Sequence, residues 1–270
     1  MKNTLKKIYD NYKIFHPDGT LMSYTSEKKA KWYFKKDLAT IEDKNVYLNF
    51  IPNGYGDPIE ILEGRQNICV ISGDNKNLTK HHVVPYMFRK RFPLKFKDKN
   101  SCDIVLLTRE LHDEYEIHAT KLKIELIKDY VDPFLVEKHD MWNICRSKYN
   151  IITRNYDKLP PEKQIFMQMS YEGLMDKYDY DEESFAYYSN ISSPYLEEIY
   201  LQIINNVGIL NLIAIWKKHF IKYGKPKYLP SWWKWNNYKT IQEGDGKKAE
   251  LKEIPNTKQL IQLIQKYNLM

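Results

Sequence analysis

Apolar positions in the first fifty residues recur at two periods, and the switches between them mark out the elements. Tyr12 to Ile14 and Leu21 to Tyr24 are short extended runs flanking Pro17-Asp18-Gly19, turn chemistry that predicts a β-hairpin. Behind it Ser26 stands as an N-cap to a helix whose stripe is Ala30, Tyr33 and Phe34, spaced i, i+3, i+4. Val46, Leu48 and Phe50 return to alternation, a strand ahead of the Pro52 to Pro58 loop. The next apolar segments are CVISG at Cys69 to Gly73, LTKHHVVP at Leu78 to Pro85 and CDIVLL at Cys102 to Leu107, the second and third reading as strands. A helix follows through Leu122, Leu126 and Tyr130, a four-spaced row that Pro133 ends.

From there the pattern is helical. Pro160-Pro161 opens a segment through Phe166, Met169 and Leu174, and Ser193-Pro194 opens a longer one containing Ile204 to Trp216. The apolar run Ile199 to Trp216 is interrupted by Gln202, Asn205, Asn206 and Asn211, so it reads as a core helix and not as a membrane span. EGDGKK at Glu243 to Lys248 has linker composition. After it Leu260, Ile261, Leu263 and Ile264 give the tail an apolar helix face that can dock onto the chain or pair two copies as a homodimer. The expectation is an α+β protein: residues 1–120 around the two strands with a hairpin-and-helix extension, a helical domain over 121–240, and a linker with a C-terminal helix over 241–270.

The chemistry is concentrated between Ile68 and Glu116. Side chains alternate across a strand, so His81 and His82 point to opposite sides and can hold different jobs. On the following helix His112 and Glu116 lie i, i+4 on one face, a spacing that suits two ligands of one metal ion. Imidazole and carboxylate fit a divalent ion acting on phosphate, and His82 is left free to activate water. Between the histidine pair and Asp103 lies RKRFPLKFKDK. There Arg89, Lys90, Arg91, Lys95, Lys97 and Lys99 face a single acid, Asp98, a density suited to neutralising several phosphates without reading sequence. Tyr86 and Phe88 are either base-stacking groups or core aromatics.

A histidine pair closing a strand, a polar residue entering a second strand and a histidine on the next helix resemble the HNH superfamily of ββα-metal nucleases. That resemblance implies an HNH-like endonuclease cleaving DNA, or RNA, with His82 as general base and a divalent metal ion, Mg²⁺ or Mn²⁺ with Zn²⁺ as the alternative. It implies two ligand sets. The colicin-type nucleases place the metal on His81, His112 and, where they have a histidine, Glu116; the junction-resolving phage enzymes place it between His81 and Asp103, where they have an asparagine. A second resemblance covers YKIFHPDGTLMSYTSEKKAKWYFKKDLA, LNFIPNGYGDP, HHVVPYMFRKRFP and CDIVLL. These look like the region after the exonuclease domain in the eukaryotic exonuclease three-prime to five-prime domain-containing protein 2 family. No room for that exonuclease domain is expected ahead of Tyr12. Relatives of this kind carry four cysteines around the site, whereas Ser72, Thr108 and Leu111 take three of those places here and only Cys69 remains, so no structural zinc is expected.

Bulk properties change this picture little. The formal charge of +7 favours a polyanionic partner, though the richness in Lys, Asn, Ile and 22 Tyr also has the look of an AT-rich coding bias. Three scattered cysteines exclude a disulfide framework and fit a reducing, intracellular compartment, and MKNTLKKIYDNYKIF shows no apolar secretory core. His16, His139 and His219 read as surface or core histidines. Trp232, Trp233 and Trp235, interleaved with lysines, read as a clasp fastening a terminal segment or as a stacking surface for single-stranded nucleic acid. The rival function is a nucleic-acid-binding module on an HNH scaffold that no longer cleaves.

Overall fold

The computed structural model describes residues 7–53, 66–93, 96, 103–181, 183, 193–231, 233, 235, 240–241, 250–251 and 257–270. The hairpin forms as β1 (Tyr12–Phe15) and β2 (Leu21–Thr25), paired antiparallel. Ser26 caps α1 (Glu27–Lys35), its hydroxyl accepting from the Lys29 amide at 3.3 Å. Strands β3 (Ala39–Glu42) and β4 (Asn45–Leu48) complete a four-stranded sheet of order β2-β1-β4-β3, in which β1 and β4 run parallel. Ile14, Met22, Ala30, Ala39, Val46 and Leu48 form its core. Phe50 falls outside the strand and is exposed.

The second substructure is a ribbon of β5 (Leu78–His82) and β6 (Ile104–Thr108), antiparallel, with His81 opposite Val105 and His82 opposite Ile104. A single turn, α2 (Tyr86–Arg89), follows β5, and α3 (Arg109–Tyr130) leaves directly from the end of β6. Thr108, at that junction, accepts from the Leu111 amide through its hydroxyl at 3.4 Å, the role of an N-cap. The turn at 69–74 docks onto β6 through Val70 N to Leu106 O at 2.9 Å. Its Gly73 sits at φ +84°, and a Cβ there would meet the Tyr228 ring at 3.0 Å, so both the backbone and the neighbour demand glycine.

Four further helices are α4 (Pro133–Asn155), α5 (Pro161–Tyr178), α6 (Tyr195–Val207) and α7 (Ile209–Gly224). A two-residue ribbon, β7 (Thr240–Ile241) with β8 (Glu250–Leu251), and α8 (Thr257–Lys266) complete the chain. By proximity the chain groups into two compact units, residues 1–121 with 209–270 and residues 122–208. The first unit thus takes in 209–270, which the sequence division had assigned to the helical domain and the tail. The physical reason is the apolar face of α7. Phe88 lies against Trp216 at 5.9 Å and Tyr115 against Phe220 at 5.1 Å between ring centroids, so this helix turns its aromatic residues onto α2 and α3.

The run Ile199 to Trp216 is divided at Gly208, at φ 83°, and no single helix among the described residues is long and apolar enough to cross a membrane. Leu260, Leu263 and Ile264 of α8 are buried, so the tail's apolar face is covered inside the first unit, while Ile261 is half exposed. Trp233 is buried, with Lys217 over its ring, and Trp235 lies under Lys218. Trp232 is outside the described residues, as are Lys234 and the EGDGKK segment. The second unit has its own core of Trp142, Cys145, Tyr171, Tyr178 and Tyr180.

Candidate active site

The alternation along β5 sends His81 inward and leaves His82 accessible: their side chains are 3% and 37% exposed. On α3 the i, i+4 spacing brings His112 and Glu116 over the inward face. His81 Nδ1 lies 3.5 Å from Glu116 Oε1, and His112 Nε2 lies 3.7 Å from the same oxygen. One ligand atom from each of the three residues falls within 4.8 Å of the others. Among the described residues this is the one such group of His, Cys, Asp and Glu.

Aromatic residues wall it in. The His81 ring meets His112 and Tyr115 edge to face, with centroids 4.8 and 5.0 Å apart, and stacks on Phe220 at 5.9 Å. Burial, reinforced by the neighbouring His112 and His82, drives the His81 pKa down to about 3, so the imidazole is neutral and able to ligate. Its Nε2 is buried with no hydrogen-bond partner among the described residues. An unsatisfied buried nitrogen is disfavoured by about 1–3 kcal/mol, a penalty that ligation of a cation by that same atom would relieve. The donor set therefore fits a divalent ion, and two imidazoles beside one carboxylate favour Mn²⁺ or Zn²⁺ over Mg²⁺.

Asp103 stands apart from that trio. Its Oδ1 accepts from the Val84 amide at 2.8 Å, its backbone carbonyl accepts from the Val83 amide at 2.8 Å, and its Oδ2 lies 3.3 Å from His82 Nδ1. The residue entering β6 thus holds the two positions that follow His82 and contacts His82 itself. It forms a carboxylate–imidazole pair and is no member of the group made by His81, His112 and Glu116.

Of the basic residues singled out in the sequence, Arg89 donates from Nε to Asp103 Oδ2 at 3.1 Å and also contacts His82 Nδ1 through NH1. Arg91 donates to the Met87 carbonyl, and Lys90 is exposed. Lys95, Lys97 and Lys99 lie outside the described residues. Phe88 is fully buried and Tyr86 is 70% exposed, which separates the core aromatic from the accessible one.

Four contributors carry no motif. Thr79, two positions before His81 and so on its face of the strand, bonds His112 Nδ1 at 2.9 Å. Tyr115, on α3 between His112 and Glu116, donates to His219 Nδ1 at 2.9 Å, and Phe220 follows His219 on α7. Thr79 was findable from the period of two alone. Nothing local in the sequence ties His219 or Phe220 to residues a hundred positions earlier.

At the remaining cysteine, Cys69 Sγ accepts from the Ser72 amide at 3.5 Å, and hydrogen bonds from Ser72 and the Thr108 backbone favour the thiolate against the opposing effect of burial. Hydroxyl and amide groups thus lie beside the sulfur.

The buried histidines make a pH prediction. Burial, then the charge on His118, pulls the His219 pKa down to about 4, below the value near 6.5 of the unfolded chain. The unfolded state binds more protons between those values, so stability is complete above pH 6.5 and falls as pH drops towards 4, by about 3 kcal/mol at most for this residue. Urea midpoints measured from pH 7.5 to 4.5 should decline, and His219→Gln, which keeps an acceptor for Tyr115, should make the decline shallower.

Comparison with known proteins gives three informative relatives. Over 258 residues the chain is 28% identical to exonuclease 3'-5' domain-containing protein 2 of Drosophila melanogaster, covering 86% of this chain and 44% of that protein. The human protein of the same name is 26% identical over 84% of the chain and 40% of its own length. Protein RRP6-like 3 of Arabidopsis thaliana is 30% identical over 137 residues, 48% of the chain and 15% of that protein. The relatives are nuclease-related by name. The chain spans about two-fifths of the length of the exonuclease-domain relatives it matches. No family model matches it, and no solved structure matches it significantly.

Proposed function

We propose that this chain is a metal-dependent nuclease, an HNH-like endonuclease that hydrolyses phosphodiester bonds of DNA, with RNA as the other substrate class. The observation that carries the reading is the pairing of two different histidines at the end of one strand. His81 is dry, neutral and grouped with His112 and Glu116, whereas its neighbour His82 faces the accessible side beside a carboxylate. The names of the relatives support nuclease chemistry in general, and the endonucleolytic form rests on this ββα arrangement.

His81, His112 and Glu116 would hold the ion. A divalent cation, when bound, supplies positive charge that stabilises the leaving oxygen of phosphodiester hydrolysis. Asp103, accepting from His82 Nδ1–H, keeps the other ring nitrogen bare, and that Nε2 takes the proton of the attacking water. The Arg89 guanidinium beside both groups balances the Asp103 charge and lies where a phosphate can draw it away. Lys90 adds positive charge for the backbone.

A second reading is favoured by one observation, the contact of Arg89 NH1 with His82 Nδ1. A guanidinium donating there competes with Asp103 for the nitrogen and places the proton on Nε2, which disables the base. The chain would then bind nucleic acid without cleaving it. Purified protein incubated with plasmid, linear, branched and single-stranded substrates in Mg²⁺ or Mn²⁺ separates the two: scission supports the enzyme, and a mobility shift without scission supports the module.

A further inference from the structure

The three-residue group has a fourth participant in Thr79, and its two hydrogen bonds specify which nitrogen of His112 is available. Thr79 Oγ1 lies 3.1 Å from the Leu107 carbonyl oxygen and 2.9 Å from His112 Nδ1. A carbonyl can only accept, and a threonine hydroxyl has one proton, so that proton is directed to Leu107 and the oxygen's lone pair faces the imidazole. His112 Nδ1 must then carry hydrogen and donate it. The lone pair is left on Nε2, the atom 3.7 Å from Glu116 Oε1 and on the side of His81.

Both ends of this relay are held by the ribbon. Thr79 and Leu107 are opposed residues in the β5–β6 register, and Thr79 shares its strand face with His81. The strand that supplies one ligand therefore also sets the tautomer of a second ligand arriving on α3. A metal-bound imidazole ordinarily donates its other N–H to a carbonyl, a carboxylate or water, and loss of that partner typically weakens metal binding by about 10–100-fold.

We infer that Thr79 is a positioning residue for the metal centre: it holds His112 as the Nδ1–H tautomer and so presents Nε2 to the ion. This rests on the reading of His81, His112 and Glu116 as metal ligands. An imidazole released from the hydroxyl reverts to its intrinsically preferred Nε2–H form, with hydrogen on the atom that should ligate. Thr79→Val keeps the side-chain volume and removes the hydroxyl, and Thr79→Ser restores it.

Two measurements on the full chain test the inference. In nitrogen-15 correlation spectra of the metal-free protein at pH 8, His112 of the parent and of Thr79→Ser should show hydrogen on Nδ1, and Thr79→Val should shift it to Nε2. In calorimetric titrations with Mn²⁺ alone, Thr79→Val should bind about 10–100-fold more weakly than the parent, and Thr79→Ser about as tightly. Equal thermal midpoints of the three proteins show that the comparison is between folded chains. Parent-like tautomer and affinity in Thr79→Val overturn the role of Thr79 and leave the metal ligands standing. A parent chain that binds no Mn²⁺ while His112 keeps hydrogen on Nδ1 overturns the metal centre itself, and Thr79 is then a structural anchor.

Discussion

Replacing His82 by alanine is expected to lower nucleic-acid cleavage by about 10²–10⁴-fold, the usual contribution of a positioned general base. Metal affinity and nucleic-acid affinity should change little. The reason is the alternation along β5: His82 lies on the accessible side, against Asp103 and Arg89, and is no member of the group formed by His81, His112 and Glu116. Asp103→Asn should also lower the rate, since its single side-chain oxygen can accept from the Val84 amide or from His82 but not from both, and an NH2 beside His82 Nδ1 would favour hydrogen on Nε2. Single-turnover rates alongside Mn²⁺ titrations check both variants. Loss of metal binding by His82→Ala would mean that the two adjacent histidines share one task.

The second large effect is expected at the ligands. His81→Ala, His112→Ala and Glu116→Ala should each weaken Mn²⁺ binding and abolish cleavage at low metal, with recovery in excess Mn²⁺ most pronounced for Glu116→Ala, the most exposed of the three. Asp103→Ala should retain metal affinity. The contrast decides between the two ligand sets that the resemblance to HNH nucleases implies, because only one of them uses Asp103. His81→Ala also opens space among Tyr115, Phe220 and His112, so its thermal midpoint should be followed with its affinity, and His81→Gln serves as the variant that keeps the volume. A loss of affinity confined to Asp103→Ala contradicts the geometry.

What could be read from the sequence was what local rules determine. The Pro17-Asp18-Gly19 hairpin, the Ser26 cap and the helices opened at Pro161 and after Pro194 all rest on turn chemistry and capping within a few residues. The opposite facing of His81 and His82, and the shared face of His112 and Glu116, follow from periods of 2 and 3.6. The surroundings of the site were not legible because they come from distant chain. Tyr115 meets His219 across a sequence separation of 104 residues, and no motif marks that contact.

The same limit explains the grouping of 209–270 with the N-terminal residues. Periodicity shows that α7 has an apolar face and is silent on what covers it. The role of Asp103 was ambiguous for a different reason. A carboxylate at the entry to β6 can reach a metal or a neighbouring imidazole, and periodicity says nothing of its two oxygens, which lie on the Val84 amide and beside His82.

The most direct test of the account is a titration of Mn²⁺ into the chelated protein in which metal occupancy and scission of supercoiled plasmid are read from the same samples. The account predicts that the chelated chain leaves the plasmid intact, that scission rises with occupancy of one site, and that the chain with His82→Ala fills the same site without cutting. Scission that persists without metal, occupancy that rises with no scission in the parent chain, or equal cutting by His82→Ala would contradict it.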